Sequence, residues 1–127
     1  IAEFSNKHKL DIHCPGFVTK EEKAQALANA DVAVFPSTSG ESFGIVLTEA
    51  MSAGAAITIG GNNPGYASVL EPWPETLFDP RDISAFSDKI VWALGQASSI
   101  GEEQHSAVQQ YDVGAVCDRL LSEAYTT

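Results

Sequence analysis

The chain has 127 residues, 44% of them apolar and 19% charged, which is enough for the core of one compact domain and argues against disorder. Seven Lys and Arg against seventeen Asp and Glu leave a formal charge of −10, so there is no general electrostatic footprint for nucleic-acid phosphates or anionic lipid. Two cysteines, Cys14 and Cys117, are too few for a disulfide scaffold and lack metal-ligand spacing, and no apolar run approaches the ~20 residues of a membrane span.

Short apolar strands alternate with amphipathic helices along the chain, the pattern of an α/β layered domain. Residues 10–14 predict a short strand, closed by Pro15 and Gly16, with Cys14 as a small buried residue. Thr19 and Glu22 make a capping box that opens a helix to about Asn29, with Ala24, Leu27 and Ala28 at helical spacing. Residues 32–35 are a continuous apolar run, as in a parallel strand covered on both faces, and Pro36 ends it. A polar loop at 37–42 leads to a helix over 43–52, with Gly54 placed for a left-handed C-cap. The next strand is expected at 55–59, followed by a turn at 60–65, a short helix near 66–70, a loop at 71–74 and a strand at 76–78. Asp82 then caps a helix whose face is Ile83, Phe86, Ile90 and Leu94. A further helix is predicted over 102–110, and Asp112 opens a last one with Val113, Val116, Cys117, Leu120, Leu121 and Ala124 on one side. No repeat, low-complexity tract or linker divides the chain, so residues 1–127 are read as one unit.

The densest chemistry lies between Pro36 and Gly54, where a buried strand ends, a polar loop follows and a helix begins at the carboxyl edge of the sheet. Open α/β sheets bind ligands in that crevice. The N–H groups of Ser42, Phe43, Gly44 and Ile45 would point into it and, with the helix dipole, favour an anion. Glu49 follows Glu41 by eight residues. At about 100° per residue their phases differ by about 80°, and they sit about 12 Å apart along a continuous helix axis. Two carboxylates so placed suit paired sugar hydroxyls, ribose included. The bland alternatives are a solvated Glu49, a dipole-stabilising Glu41 and a Gly44 that only accommodates packing. His8, His13 and His105 have no paired acid, serine or cysteine at a telling spacing and read as surface or strand-end histidines.

The run from Glu41 to Glu49, a Glu-x7-Glu motif preceded by Phe35-Pro36-Ser37, closely resembles the donor-binding motif of family 4 retaining glycosyltransferases. The resemblance continues through the His13 to Val18, Ala30 to Ser37, Asn63 to Leu70, Leu77 to Pro80 and Gln110 to Tyr125 stretches, nearly the whole chain. It implies part of the C-terminal, nucleotide-sugar-binding domain of a GT-B fold, with a Rossmann-like parallel sheet flanked by helices. Within the family the pattern is nearest to phosphatidylinositol mannosyltransferase-like enzymes. By the same resemblance Glu41 is the catalytic position, contacting the transferred sugar near its anomeric centre. The amides of Ser42, Phe43, Gly44 and Ile45 hold sugar and diphosphate, and Glu49 holds the ribose. The substrate would be a nucleotide-diphosphate sugar such as GDP-mannose or UDP-glucose, with no cofactor or metal required.

The family's Arg and Lys-Gly cations, which neutralise the diphosphate, have no match here: Lys7, Lys9, Lys20 and Lys23 precede Glu41 in the wrong context. With Ile1 as first residue, the expectation is a piece of a longer enzyme lacking the first strands of this domain and the N-terminal acceptor domain. The isolated chain is then inactive in transfer, and an exposed sheet edge invites a homodimer. The parent enzyme is expected in the cytoplasm, peripheral at the inner membrane face, with a glycan or glycolipid acceptor. A non-catalytic nucleotide- or sugar-binding module, or a structural α/β module, is the alternative.

Overall fold

The computed structural model describes residues 7–38 and 44–109. Among these residues the elements run α1 (Lys20–Ala28), β1 (Ala33–Phe35), α2 (Ile45–Ala53), β2 (Thr58–Gly61), α3 (Pro64–Val69), β3 (Leu77–Phe78), α4 (Ile83–Leu94) and α5 (Glu102–Gln109). The strands form one parallel sheet in the order β1-β2-β3, with Val34 beside Ile59 and Gly60 beside Leu77. Parallel neighbours need crossovers, and α2 and α3 supply them. The Rossmann-like α/β reading therefore holds.

Local chemistry sets most helix ends. Thr19 Oγ1 accepts from Glu22 N at 3.1 Å, Asn63 Oδ1 from Tyr66 N at 2.9 Å and Asp82 Oδ1 from Ala85 N at 3.1 Å, so three N-termini carry side-chain caps. Gly54 closes α2 in the left-handed region at φ 104°. Leu47 and Met51 of α2, Ile57 and Ile59 around β2, and Tyr66, Leu70, Trp73 and Phe78 form the core. Ala93, Ile100 and Val108 extend it beneath α4 and α5, and the Phe78 and Phe86 rings lie 4.7 Å apart. A smaller cluster of Ala33, Ala50 and Ala55, with Leu27 against it, seats α1 on the same layer.

Gln104 of α5 completes the central strand. Ala33 N donates to Ile57 O, so Thr58 aims its own N–H and C=O away from β1. β3 pairs with β2 only from Gly60 onward. At Thr58 the Gln104 amide stands in for a strand, accepting from Thr58 N and donating to Thr58 O, both at 2.8 Å.

Several expectations are corrected. Residues 10–14 form no strand: Leu10, Ile12 and Cys14 are exposed, because the stretch does not pair into the sheet and an extended segment without a ladder has little to hold it. β2 starts at Thr58 rather than at residue 55 and takes in Gly60 and Gly61, whose composition predicts a turn. α3 begins at Pro64 rather than near Tyr66, and Thr76 belongs to a short helical turn rather than to β3. Ile83 and Leu94 are exposed at the two ends of α4, whose inward side is Phe86, Ile90 and Ala93. The helix expected after Asp112, with Cys117, lies outside the described residues.

Candidate functional site

The carboxyl ends of β1, β2 and β3 open onto the segments that follow Phe35, Gly61 and Phe78. Of the loop after β1, Pro36, Ser37 and Thr38 are described, whereas Glu41, Ser42 and Phe43 lie outside the described residues. Gly44 caps α2, and Ile45 and Val46 are its first helical residues. Leu47 N and Thr48 N donate to Gly44 O at 3.0 and 3.3 Å, and the Ile45 and Val46 N–H groups ahead of them have no carbonyl of their own helix to donate to. Gly44 and Ile45, two of the expected main-chain donors, stand at the N-cap and first helical position of α2.

Gly44 has a packing reason for lacking a side chain. A Cβ there would lie 3.0 Å from Leu47 Cδ1 and Val69 Cγ2 and 3.2 Å from Tyr66 Cδ1, tighter than an ordinary contact. The accommodation reading accounts for this glycine without a ligand.

Glu49 lies one turn beyond Ile45, about 6 Å further along the axis. Its Oε2 is 2.7 Å from Lys23 Nζ of α1. The two side chains are 39% and 50% exposed, so the pair contributes little to stability and can rearrange. Nothing local in the sequence links Lys23 to Glu49: the two meet because α1 packs on α2. Lys23 is thus a cation held beside this carboxylate.

On the other flank, Asn63 Nδ2 donates to Ser37 O at 2.9 Å, joining the loop after β1 to the cap of α3. At the end of β3, Asp79 Oδ1 accepts from Arg81 N at 3.0 Å, so this carboxylate and Asp82 serve local turns. Trp73 is buried, with Nε1 donating to Glu103 Oε2 at 2.9 Å, and is a core residue. His105, expected at the surface or a strand end, is instead half-buried in α5 with Nδ1 3.1 Å from Met51 O. A cavity of about 380 Å³ opens beside Gly54, Ala56, Gly101, Glu102 and His105. It sits where β2 is entered rather than at the carboxyl edge, and none of the expected site residues lines it. Among the described residues no three His, Cys, Asp or Glu side chains group as metal ligands, and no helix is long and apolar enough to cross a membrane.

Residues 3–110 match the family described as glycosyl transferases group 1. The phosphatidyl-myo-inositol mannosyltransferase of Mycobacterium tuberculosis (strain CDC 1551 / Oshkosh) is 34% identical over 116 residues, covering 84% of this chain and 30% of that protein. Its counterpart in Mycobacterium leprae (strain TN) is 33% identical over 119 residues, covering 84% of this chain and 29% of the relative. In Mycolicibacterium smegmatis (strain ATCC 700084 / mc(2)155) the protein of the same name is 55% identical over 42 residues, 33% of this chain and 11% of its own length. The chain thus spans 30% or less of the length of these relatives. No solved structure gives a significant match.

Proposed function

The chain belongs to the glycosyl transferases group 1 family, and from that premise we propose that it is the donor-binding part of a retaining hexosyltransferase. Its substrate on this reading is a nucleotide-diphosphate sugar. The names of the relatives favour mannose as the sugar and an inositol phospholipid as the acceptor. The observation that carries the reading is the first turn of α2 at the carboxyl edge of a parallel sheet, with Glu49 one turn behind it.

Each role follows from ordinary chemistry. The amides of Ser42, Phe43, Gly44 and Ile45 offer main-chain donors where a helix dipole favours the negative diphosphate. Glu41 is assigned to the sugar hydroxyls near the anomeric carbon, where a fixed carboxylate acts on developing positive charge. Glu49 is assigned to the ribose. Lys23 engages its Oε2, and Oε1 is the oxygen we assign to the ribose hydroxyls. The acceptor half and the diphosphate cations come from outside these 127 residues, so the isolated chain binds donor without transferring it. The parent enzyme then works in the cytoplasm, peripheral to the inner face of the membrane that holds its acceptor. A second copy pairs along the side of β1 where no strand pairs among the described residues.

Heteronuclear NMR of the chain, titrated with GDP, UDP and their mannose and glucose conjugates, tests the donor site. Shifts are expected across Gly44 to Glu49 with one nucleotide and not the other. Glu49→Ala should weaken that binding about tenfold, roughly the worth of one charge-assisted hydrogen bond. It should leave the melting temperature almost unchanged, since the pair it removes is half exposed. A well-dispersed spectrum that does not move at millimolar ligand would sink the reading.

A further inference from the structure

We propose that the first turn of α3 is a clamp on both stems of the loop between β1 and α2, with Asn63 holding Ser37 and Tyr66 bearing on Gly44. The inference rests on the donor-site reading for its consequence but not for its geometry. Asn63 is 3% exposed and uses both ends of its amide. Oδ1 caps α3 by accepting from Tyr66 N at 2.9 Å. Nδ2 donates to Ser37 O at 2.9 Å and, more weakly, to Gly61 O at 3.4 Å. A cap needs only the acceptor, and Asp or Ser would serve as well. The donor is what distinguishes Asn here, and it goes to the loop's first stem.

That stem has no slack against β2. A Cβ added at Gly61 would overlap the Ser37 carbonyl oxygen, so the chain leaving β1 lies directly on the end of the central strand. The second stem is Gly44, where the Tyr66 ring and Val69 fill the space a side chain would occupy. Tyr66 is itself buried in the core. One short helix therefore fixes two points seven residues apart in sequence, the entry to the loop and the entry to α2. Site geometry depends on such support, because small displacements of a binding group weaken recognition steeply. Asn63 and Tyr66 are positioning residues on this account and do not themselves touch the donor.

Asn63→Asp separates the two jobs of the side chain: it keeps the acceptor for Tyr66 N and removes the donor to Ser37 O. Amide exchange and nucleotide titration are to be followed by NMR on the 127-residue chain. Exchange at Leu47 and Thr48, whose N–H groups donate to Gly44 O, should rise about tenfold and the Ser37 and Thr38 amide signals should shift, while α4 and α5 stay at the wild-type rate and the nucleotide that binds should bind about tenfold more weakly. Tyr66→Leu, which removes the ring from Gly44, should loosen the second stem in the same way and decides the matter if Asn63→Asp does not fold. Wild-type exchange at Leu47 and Thr48 together with unshifted Ser37 and Thr38 signals in a folded variant overturns the clamp. A wild-type chain that binds no nucleotide while the variants loosen the stems leaves the clamp standing and removes the donor reading instead.

Discussion

Gly60 and Gly61 show how one residue type can be read for the wrong reason. They open a run of Gly, Asn and Pro that has the composition of a turn, yet both lie in the central strand. Their role is space: a Cβ on Gly60 would press on Tyr66 and Leu47, and one on Gly61 would meet the Ser37 carbonyl. No local pattern distinguishes a glycine that turns the chain from one that lets another backbone approach. Gly61→Ala should therefore destabilise the fold by about 2–3 kcal/mol, since main chain on both sides has to move. Gly95→Ala is the comparison: a Cβ there meets only the Trp92 carbonyl oxygen at 3.6 Å, and the backbone already has φ −90°. That change should be neutral or stabilise by up to about 1 kcal/mol. Urea unfolding of the two variants gives the difference directly, and equal midpoints would remove the steric account of Gly61.

At the scale of elements, what was legible is what is local. The capping pair Thr19 and Glu22, the cap Asp82 and the left-handed Gly54 are each decided within four residues, and the helices they bound lie where the sequence puts them. The strand expected at 10–14 has an equally good local pattern but needs a neighbour to become one, and its neighbour cannot be read from its own residues. The candidate site divides in the same way. Glu49 and the α2 N-terminus follow from a strand, a loop and a helix in sequence, whereas Lys23 on Glu49 and Asn63 on Ser37 are contacts across 26 positions each. Gln104 lies furthest from any sequence signal, because a glutamine in a polar helix looks like surface. Instead its buried amide closes β2 with two hydrogen bonds to Thr58, 46 residues away. Gln104→Ala leaves that N–H and C=O without their partner in a dry core and should cost about 3 kcal/mol, read from chemical denaturation. A cost below about 1 kcal/mol would mean that water replaces the amide and that α5 is not the third wall of the central strand.

At the scale of the whole molecule, charge and sheet edge act in opposite directions. Ala33 turns its N–H toward Ile57, so Val34 between the two paired residues aims its N–H and C=O at the side of β1 where no strand pairs among the described residues. That edge is apolar and suits pairing with a second copy, but it is only three residues long and Pro36 behind it has no N–H to give. Each copy also carries a charge of −10, and two such bodies repel at low ionic strength. The balance predicts an assembly that strengthens with salt: light scattering should give 13.5 kDa at low salt and move toward twice that value as the repulsion is screened. Val34→Pro removes the one N–H that strand-to-strand pairing needs while respecting the place of proline on an edge. It should hold the chain at 13.5 kDa at every salt concentration with an unchanged circular dichroism spectrum. A wild-type chain that remains a monomer in high salt would show that the edge is adequately blunted by its length. A folded Val34→Pro variant that still dimerises would move the contact away from β1, with the exposed Leu10, Ile12, Phe17 and Val18 as the next surface to substitute.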